Sequence, residues 1–259
     1  MGEIHYAPVI QDMVWSYSRI QCFEECPYRW FLKYICGLKG KEQFFASYGS
    51  FMHKLIERHY TEGKTPAQLS DLYLCGFQNQ VRGDAPNSRV FGSYFMSGLE
   101  YLRNFTPFPY RPLAVEGRVD FRLGGLPFVG YIDFLGERDG ELYLVDNKSR
   151  NLKPRSSRPK PTKTDAELDE YLRQLYLYSI PVKEMFHQYP ARLEFNCFRT
   201  RQLISEPFRE EELERAKQWA SDRISKIANN NDWPPKMDFW KCKHICAFHD
   251  ECEYFAMNQ

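Results

Sequence analysis

No run of eighteen apolar residues occurs in the chain, so the sequence pattern of a membrane-spanning helix is missing. Also missing is an excess of either charge: 35 Lys and Arg face 34 Asp and Glu, a formal net charge of +1. A surface for a polyanion must therefore be local. The opening MGEIHYAPVI lacks the basic and then apolar succession of a secretory signal. The expected compartment is the cytoplasm, where thiols stay reduced.

What is there is ordinary in bulk and uneven in detail. Hydrophobic residues fill 43% of 259 positions and charged ones 27%. That suffices for a sizeable core, and one globular unit over 1–259 is the expectation. Eight cysteines are many for a reduced chain. Cys36, Cys75 and Cys197 stand alone among apolar neighbours and read as core residues. Cys242, Cys246 and Cys252 fall within the tail KCKHICAFHDECEYF, with His244 and His249 between them, a density that points to a bound metal centre. Three thiols are local, so a fourth ligand must come from elsewhere; zinc completed by His244 or His249 is one solution.

The stretch Gly130 to Ser149, GYIDFLGERDGELYLVDNKS, is the densest in chemistry. Alternating apolar residues flank Asp139-Gly140, a two-residue hairpin signal. That register sets Asp133 opposite Asp146, with Lys148 on the same face. A second tight turn at Gly124-Gly125 sets Glu116 opposite Asp133. Like charges in a row across strands destabilise a sheet unless something offsets them. A divalent cation does so: carboxylate oxygens suit hard ions such as magnesium or manganese, which activate water and stabilise a phosphoryl transition state.

These residues resemble a known family. GYID, the interval from Asp133 to Asp146 and the triplet Asp146-Asn147-Lys148 with Ser149 look like the core of the PD-(D/E)XK nuclease superfamily, nearest its RecB-like branch with the patterns GxxD and DxKT. Ser149 stands where that branch has Thr, and Asn147 where it often has Tyr. SYSRIQCFEECPYRWFLKY is similar to the opening of RecB-like domains, Gly49 to His53 resembles their GxxxH motif, and QLYLY their QxxxY motif.

The resemblance implies roles. His53 joins Asp133 and Asp146 as metal ligands, with Glu116 as an outer or second-metal ligand. Lys148 orients the attacking water, and Gln174 and Tyr178 line the nucleic-acid path. Cys26 joins Cys242, Cys246 and Cys252 around a [4Fe-4S] cluster, with Cys22, one helical turn away, as the other candidate and zinc as the rival metal. Without the resemblance, His53 reads as a structural residue beside an apolar stripe, and Tyr178 as core.

The implied fold is α/β: a PD-(D/E)XK restriction-endonuclease-like core with a mixed central sheet flanked by helices. A helical N-terminal part (16–105) precedes the core (110–206), and a C-terminal helix with a Cys-rich clasp (209–259) follows. The implied function is a deoxyribonuclease, expected to be an exonuclease, acting on single-stranded DNA or duplex ends in repair, recombination, phage or CRISPR processing. No helicase motif is present, so a motor, recombination protein or CRISPR adaptation factor would be a separate partner. The alternative is a catalytically silent DNA-binding iron-sulfur or zinc module within a nuclease complex.

Local patterns complete the expectation. Ser18 is the expected N-cap of a first helix, and Pro27 opens a second that Gly37 closes. Further helices are read at 48–60, 66–82, 87–105, 165–179 (ending before Pro181) and 210–228. RLEFNCFRT and RQLISEPF read as paired strands reached through a crossover helix. Between Arg150 and Lys163, six basic residues, interspersed prolines and no acid make a loop that packs no core. Leaving the sheet just after Lys148, it is the expected phosphate-contacting flap, with Arg150, Lys153 and Arg155 foremost.

Overall fold

A computed structural model describes residues 7–257; residues 1–6, part of the opening read for a leader pattern, lie outside the described residues. Helices come first: α1 (Ala7–Gln11), α2 (Tyr17–Glu25), α3 (Pro27–Tyr34), α4 (Phe44–Glu62), α5 (Pro66–Gln80) and α6 (Ser88–Arg103). The start of α2 is displaced from expectation. Ser16, in extended conformation, takes the hydrogen bond from the Arg19 N–H, and Ser18 lies inside the helix. The reason is tertiary: Trp15 exchanges backbone hydrogen bonds of 2.8 Å with Pro127 and Val129, which holds the chain extended until Ser16. Cys26, between α2 and α3, caps α3 through its sulfur, with Pro27 in the first turn.

The sheet follows. β1 (Arg111–Leu123) and β2 (Leu126–Arg138) meet at Gly124-Gly125, and β3 (Glu141–Lys148) returns through Asp139-Gly140. All four turn residues have positive φ, the left-handed pair that tight hairpins need and that Gly and Asp tolerate. The expected registers hold: Leu123↔Leu126 runs on to Gly117↔Ile132, and Arg138↔Glu141 to Phe134↔Val145.

After β3 a loop leads to α7 (Lys163–Phe186), which crosses over to β4 (Arg192–Cys197), parallel to β3; β5 (Gln202–Pro207) pairs antiparallel with β4. The order is β1-β2-β3-β4-β5, a mixed five-stranded sheet. Next come α8 (Glu210–Ala228), α9 (Phe239–His244) and α10 (Glu253–Ala256). Helix α7 does not stop before Pro181 but runs through it to Phe186. Its buried face continues past the proline with Val182, and that packing outweighs the one backbone hydrogen bond lost.

Two large cores meet at the sheet, with a smaller cluster of Tyr110, Phe134, Tyr143 and Val145 beside them. One lies between the strands and α2, α3, α7 and α8, around Ile20, Trp30, Leu144, Leu175, Phe195 and Leu213. The other is internal to α4–α6, around Phe44, Tyr48, Leu55, Tyr73 and Leu102, and takes in Phe198 from just beyond β4. Cys197 is buried as expected, whereas Cys36 and Cys75 are exposed. The basic loop is likewise tethered: Leu152 is 1% exposed within the first core. Among the described residues no helix is long and apolar enough to cross a membrane.

Candidate active site

Helix α4 lays Gly49 and His53 one turn apart against the end of β3. The His53 Nδ1 lies 3.2 Å from Glu116 Oε1 and 3.4 Å from Asp133 Oδ2. The donor atoms of His53, Glu116 and Asp133 all lie within 4.8 Å of one another. Glu116 reaches this position from a strand by adopting φ +46°, between the ladder pairs Val115↔Phe134 and Gly117↔Ile132. A left-handed glutamate inside a strand costs about 1–3 kcal/mol, a strain of the kind that concentrates at functional sites.

The backbone of a single residue organises the cluster. The Asn147 N–H donates to Asp133 Oδ2 at 2.6 Å, and the Asn147 carbonyl accepts from His53 Nε2 at 2.9 Å. With the Nε2 proton so engaged, Nδ1 is the ring atom that faces the carboxylates, the arrangement by which an outer hydrogen bond orients a ligating imidazole. Burial lowers the His53 pKa, but Asp133, Glu116 and Asp146 overcome it and push it up to about 9. Asp133 is raised, first by burial and then by the Asp146 charge. So much negative charge in one buried place favours a bound cation.

Asp146 and Lys148 stand beside this group. Lys148 Nζ lies 2.7 Å from Asp146 Oδ2 and donates to Gln174 Oε1 at 3.0 Å. The Asp146 oxygen is buried and, ion pair apart, has no hydrogen-bond partner. Glu116 thus lies among the donor atoms grouped with His53 and Asp133, and Asp146 stands next to them, held by its lysine. A mixed oxygen and imidazole donor set of this kind suits magnesium or manganese.

Gln174 and Tyr178 approach from behind. Tyr178 is 7% exposed, packed on the sheet at Gly130, and its hydroxyl is hydrogen-bonded by Gln174 and the Tyr131 backbone. Burial raises that hydroxyl to about 12. Tyr178 is thus buried, and it braces Gln174, which braces Lys148. Arg150 and Lys153 are exposed. Arg155 is not free for phosphate, being paired with Asp169 at 2.6 Å and Glu206 at 3.0 Å, acids of α7 and β5 that lie outside its own loop.

Sequence reading missed one support. Asn196 Nδ2 donates to Asn147 Oδ1 and to the Tyr101 hydroxyl, both at 2.7 Å, and all of these groups are buried. The signal was present: an asparagine inside the apolar run RLEFNCF of a central strand needs a partner.

In the clasp, Cys26, Cys242, Cys246 and Cys252 line one small cavity of about 20 Å³ with His249. Cys22 points instead into the core, its sulfur 3.4 Å from Arg29 Nε. Burial pushes Cys246 up to about 11 and raises Cys252, and Cys26 and Cys242 add to both shifts, as neighbouring thiols do. Both ring nitrogens of His249 are engaged, Nδ1 with the Cys246 carbonyl at 3.0 Å and Nε2 with Asp250 at 3.0 Å.

No curated protein matches the chain. Among solved structures, a candidate exonuclease from Eubacterium rectale is similar, with a TM-score of 0.54 and 12% identity over 95% of this chain and 88% of its own. SSO0001 shares 16% identity over 94% of this chain and 87% of its own, at a TM-score of 0.35. The first likeness is one of fold. The model of the PD-(D/E)XK nuclease superfamily matches residues 14–253, nearly the whole chain, and the chain belongs to that superfamily.

Proposed function

We propose that the chain is a divalent-metal-dependent deoxyribonuclease of the RecB-like branch that removes nucleotides from a DNA end. The observation that carries the reading is the Asn147 backbone, whose N–H and carbonyl hold Asp133 and His53 at once beside Glu116, with Lys148 next door on Asp146. Magnesium or manganese held by His53, Glu116 and Asp133, with Asp146 adjacent, supplies Lewis acidity toward a phosphoryl oxygen and acidifies water. Lys148 orients that water and offsets charge developing on the phosphate. Gln174 fixes the lysine, and Tyr178 fixes Gln174. The candidate exonuclease of similar fold supports cutting from an end. The chain works as one nuclease unit in the cytoplasm, in recombination, repair, phage or CRISPR processing, where a helicase or adaptation partner supplies the end.

The same reading assigns Cys26, Cys242, Cys246 and Cys252 to a [4Fe-4S] cluster that clasps the start of α3 to the tail. Zinc at about 2.3 Å from each sulfur requires sulfurs about 3.8 Å apart. Among the described residues no three of these cysteines come within 4.8 Å of one another, and His249 is otherwise engaged, both of which favour the wider cluster.

The test is incubation of the protein with end-labelled single- and double-stranded DNA, with manganese or with chelator. Manganese-dependent shortening from one end, lost in Asp133→Ala, is the expected result. Intact DNA under all conditions overturns the reading.

A further inference from the structure

Outside the metal cluster, a groove of about 490 Å³ runs past Phe45, Gly49, His53, Lys54, Glu116 and Ser149. Its aromatic wall does not end at Phe45. Trp240, from α9 of the clasp, lies 6.1 Å from the Phe45 ring, and Tyr94 of α6 lies 5.2 Å from it. The Arg199 guanidinium rests 3.6 Å above Tyr94, and Arg150 5.7 Å from Tyr171 across the site. Neither arginine has a carboxylate partner among the described residues, and Arg199 Nε is buried with no hydrogen bond. Trp240 remains 49% exposed although it packs on His244 as well as Phe45. An indole that serves only to fill a core has no reason to stay half in water beside a catalytic groove.

We propose that Trp240 and Phe45 form a base-stacking seat at the mouth of the groove, so that the Cys-rich clasp contributes directly to holding unpaired DNA. The proposal rests on the nuclease reading. Aromatic faces take any base without selecting sequence, and arginines without a carboxylate partner supply the anionic backbone with counter-charge. A base pair inside a duplex offers no free face, so the seat acts on unpaired nucleotides. The placement of Trp240 on the same short helix as Cys242 makes the clasp a wall of the substrate site as well as a brace.

The test is fluorescence anisotropy in chelator with a labelled oligothymidine of about twelve nucleotides, within the span such sites cover. Trp240→Ala is expected to bind about 5- to 100-fold more weakly, the effect of one lost base stack, while Trp240→Phe restores most of the affinity. An abasic oligomer of equal length is expected to bind wild type and Trp240→Ala alike. Unchanged affinity for oligothymidine in a Trp240→Ala protein with an unaltered melting temperature overturns the seat, as does equal weakening with the abasic oligomer. Cleavage in manganese separates the two readings. If wild type cuts and Trp240→Ala keeps the same KM, the seat fails and the nuclease stands. If wild type binds through Trp240 and never cuts, the nuclease fails and the seat stands.

Discussion

The Tyr178 ring occupies the space that a side chain at Gly130 would need: a β-carbon built there lies 2.5 Å from Cε1 of the tyrosine. Two motif residues 48 positions apart are thus one fitted contact. Tyr178 is rigid and buried, so Gly130→Ala forces a backbone shift in β2, three residues before Asp133. Loss of about 1–3 kcal/mol by urea denaturation is expected, the usual cost of overpacking, with activity falling further than stability.

Lys148→Met is expected to lower cleavage by about 100- to 1000-fold, the scale of losing one group that stabilises transition-state charge. Gln174→Leu, which frees the lysine without removing it, should cost about tenfold. Circular dichroism should show both variants folded, and single-turnover rates at saturating manganese measure the loss.

Asn196 touches the His53 and Asp133 group through Asn147, whose side chain it holds. Asn196→Ala leaves the Asn147 amide oxygen and the Tyr101 hydroxyl without their donor, at about 1–3 kcal/mol. The cleavage assay should show a higher manganese concentration at half-maximal rate, with most of the maximal rate retained. Tyr101→Phe should do the same more weakly.

Asp165 ties the basic loop to α7, accepting from the Ser156 and Thr162 N–H groups and the Thr162 hydroxyl, and these bonds hold its carboxyl down at about 2. A carboxyl lowered by folding stabilises the native state above its unfolded pKa of about 3.9. That contribution disappears as pH falls through about 2. Urea midpoints measured from pH 4 to pH 2 should drop more steeply for wild type than for Asp165→Asn.

Cys26→Ser keeps an oxygen to cap α3 but removes a soft ligand. Anaerobically purified wild type is expected to be brown and to contain iron, and the variant to have lost most of both. A colourless wild type that contains zinc would favour the rival metal.

Much of the sheet was legible because its turns are local: Gly124-Gly125 and Asp139-Gly140 dictate registers within a few residues. The Asp133, Asp146 and Lys148 face followed from strand alternation alone. What escaped depends on distant partners. Ser16 caps α2 because Trp15 is bound to β2, and α7 passes Pro181 because a core waits beyond it. Arg155 finds Asp169 and Glu206 only once α7 and β5 are in place. The left-handed backbone of Glu116, beside His53 and Asp133, has no signature in sequence.

His53 belongs to the layer that packs its own core, while Asp133, Asp146 and Lys148 belong to the sheet packed on the other. Neither layer alone can hold the full set of groups. A chain in which α4–α6 have come away from the strands, whether during synthesis or on partial unfolding, has lost His53 from the group it forms with Glu116 and Asp133. The seam between the layers works as an interlock: the donor set is complete only when the two halves have closed on each other.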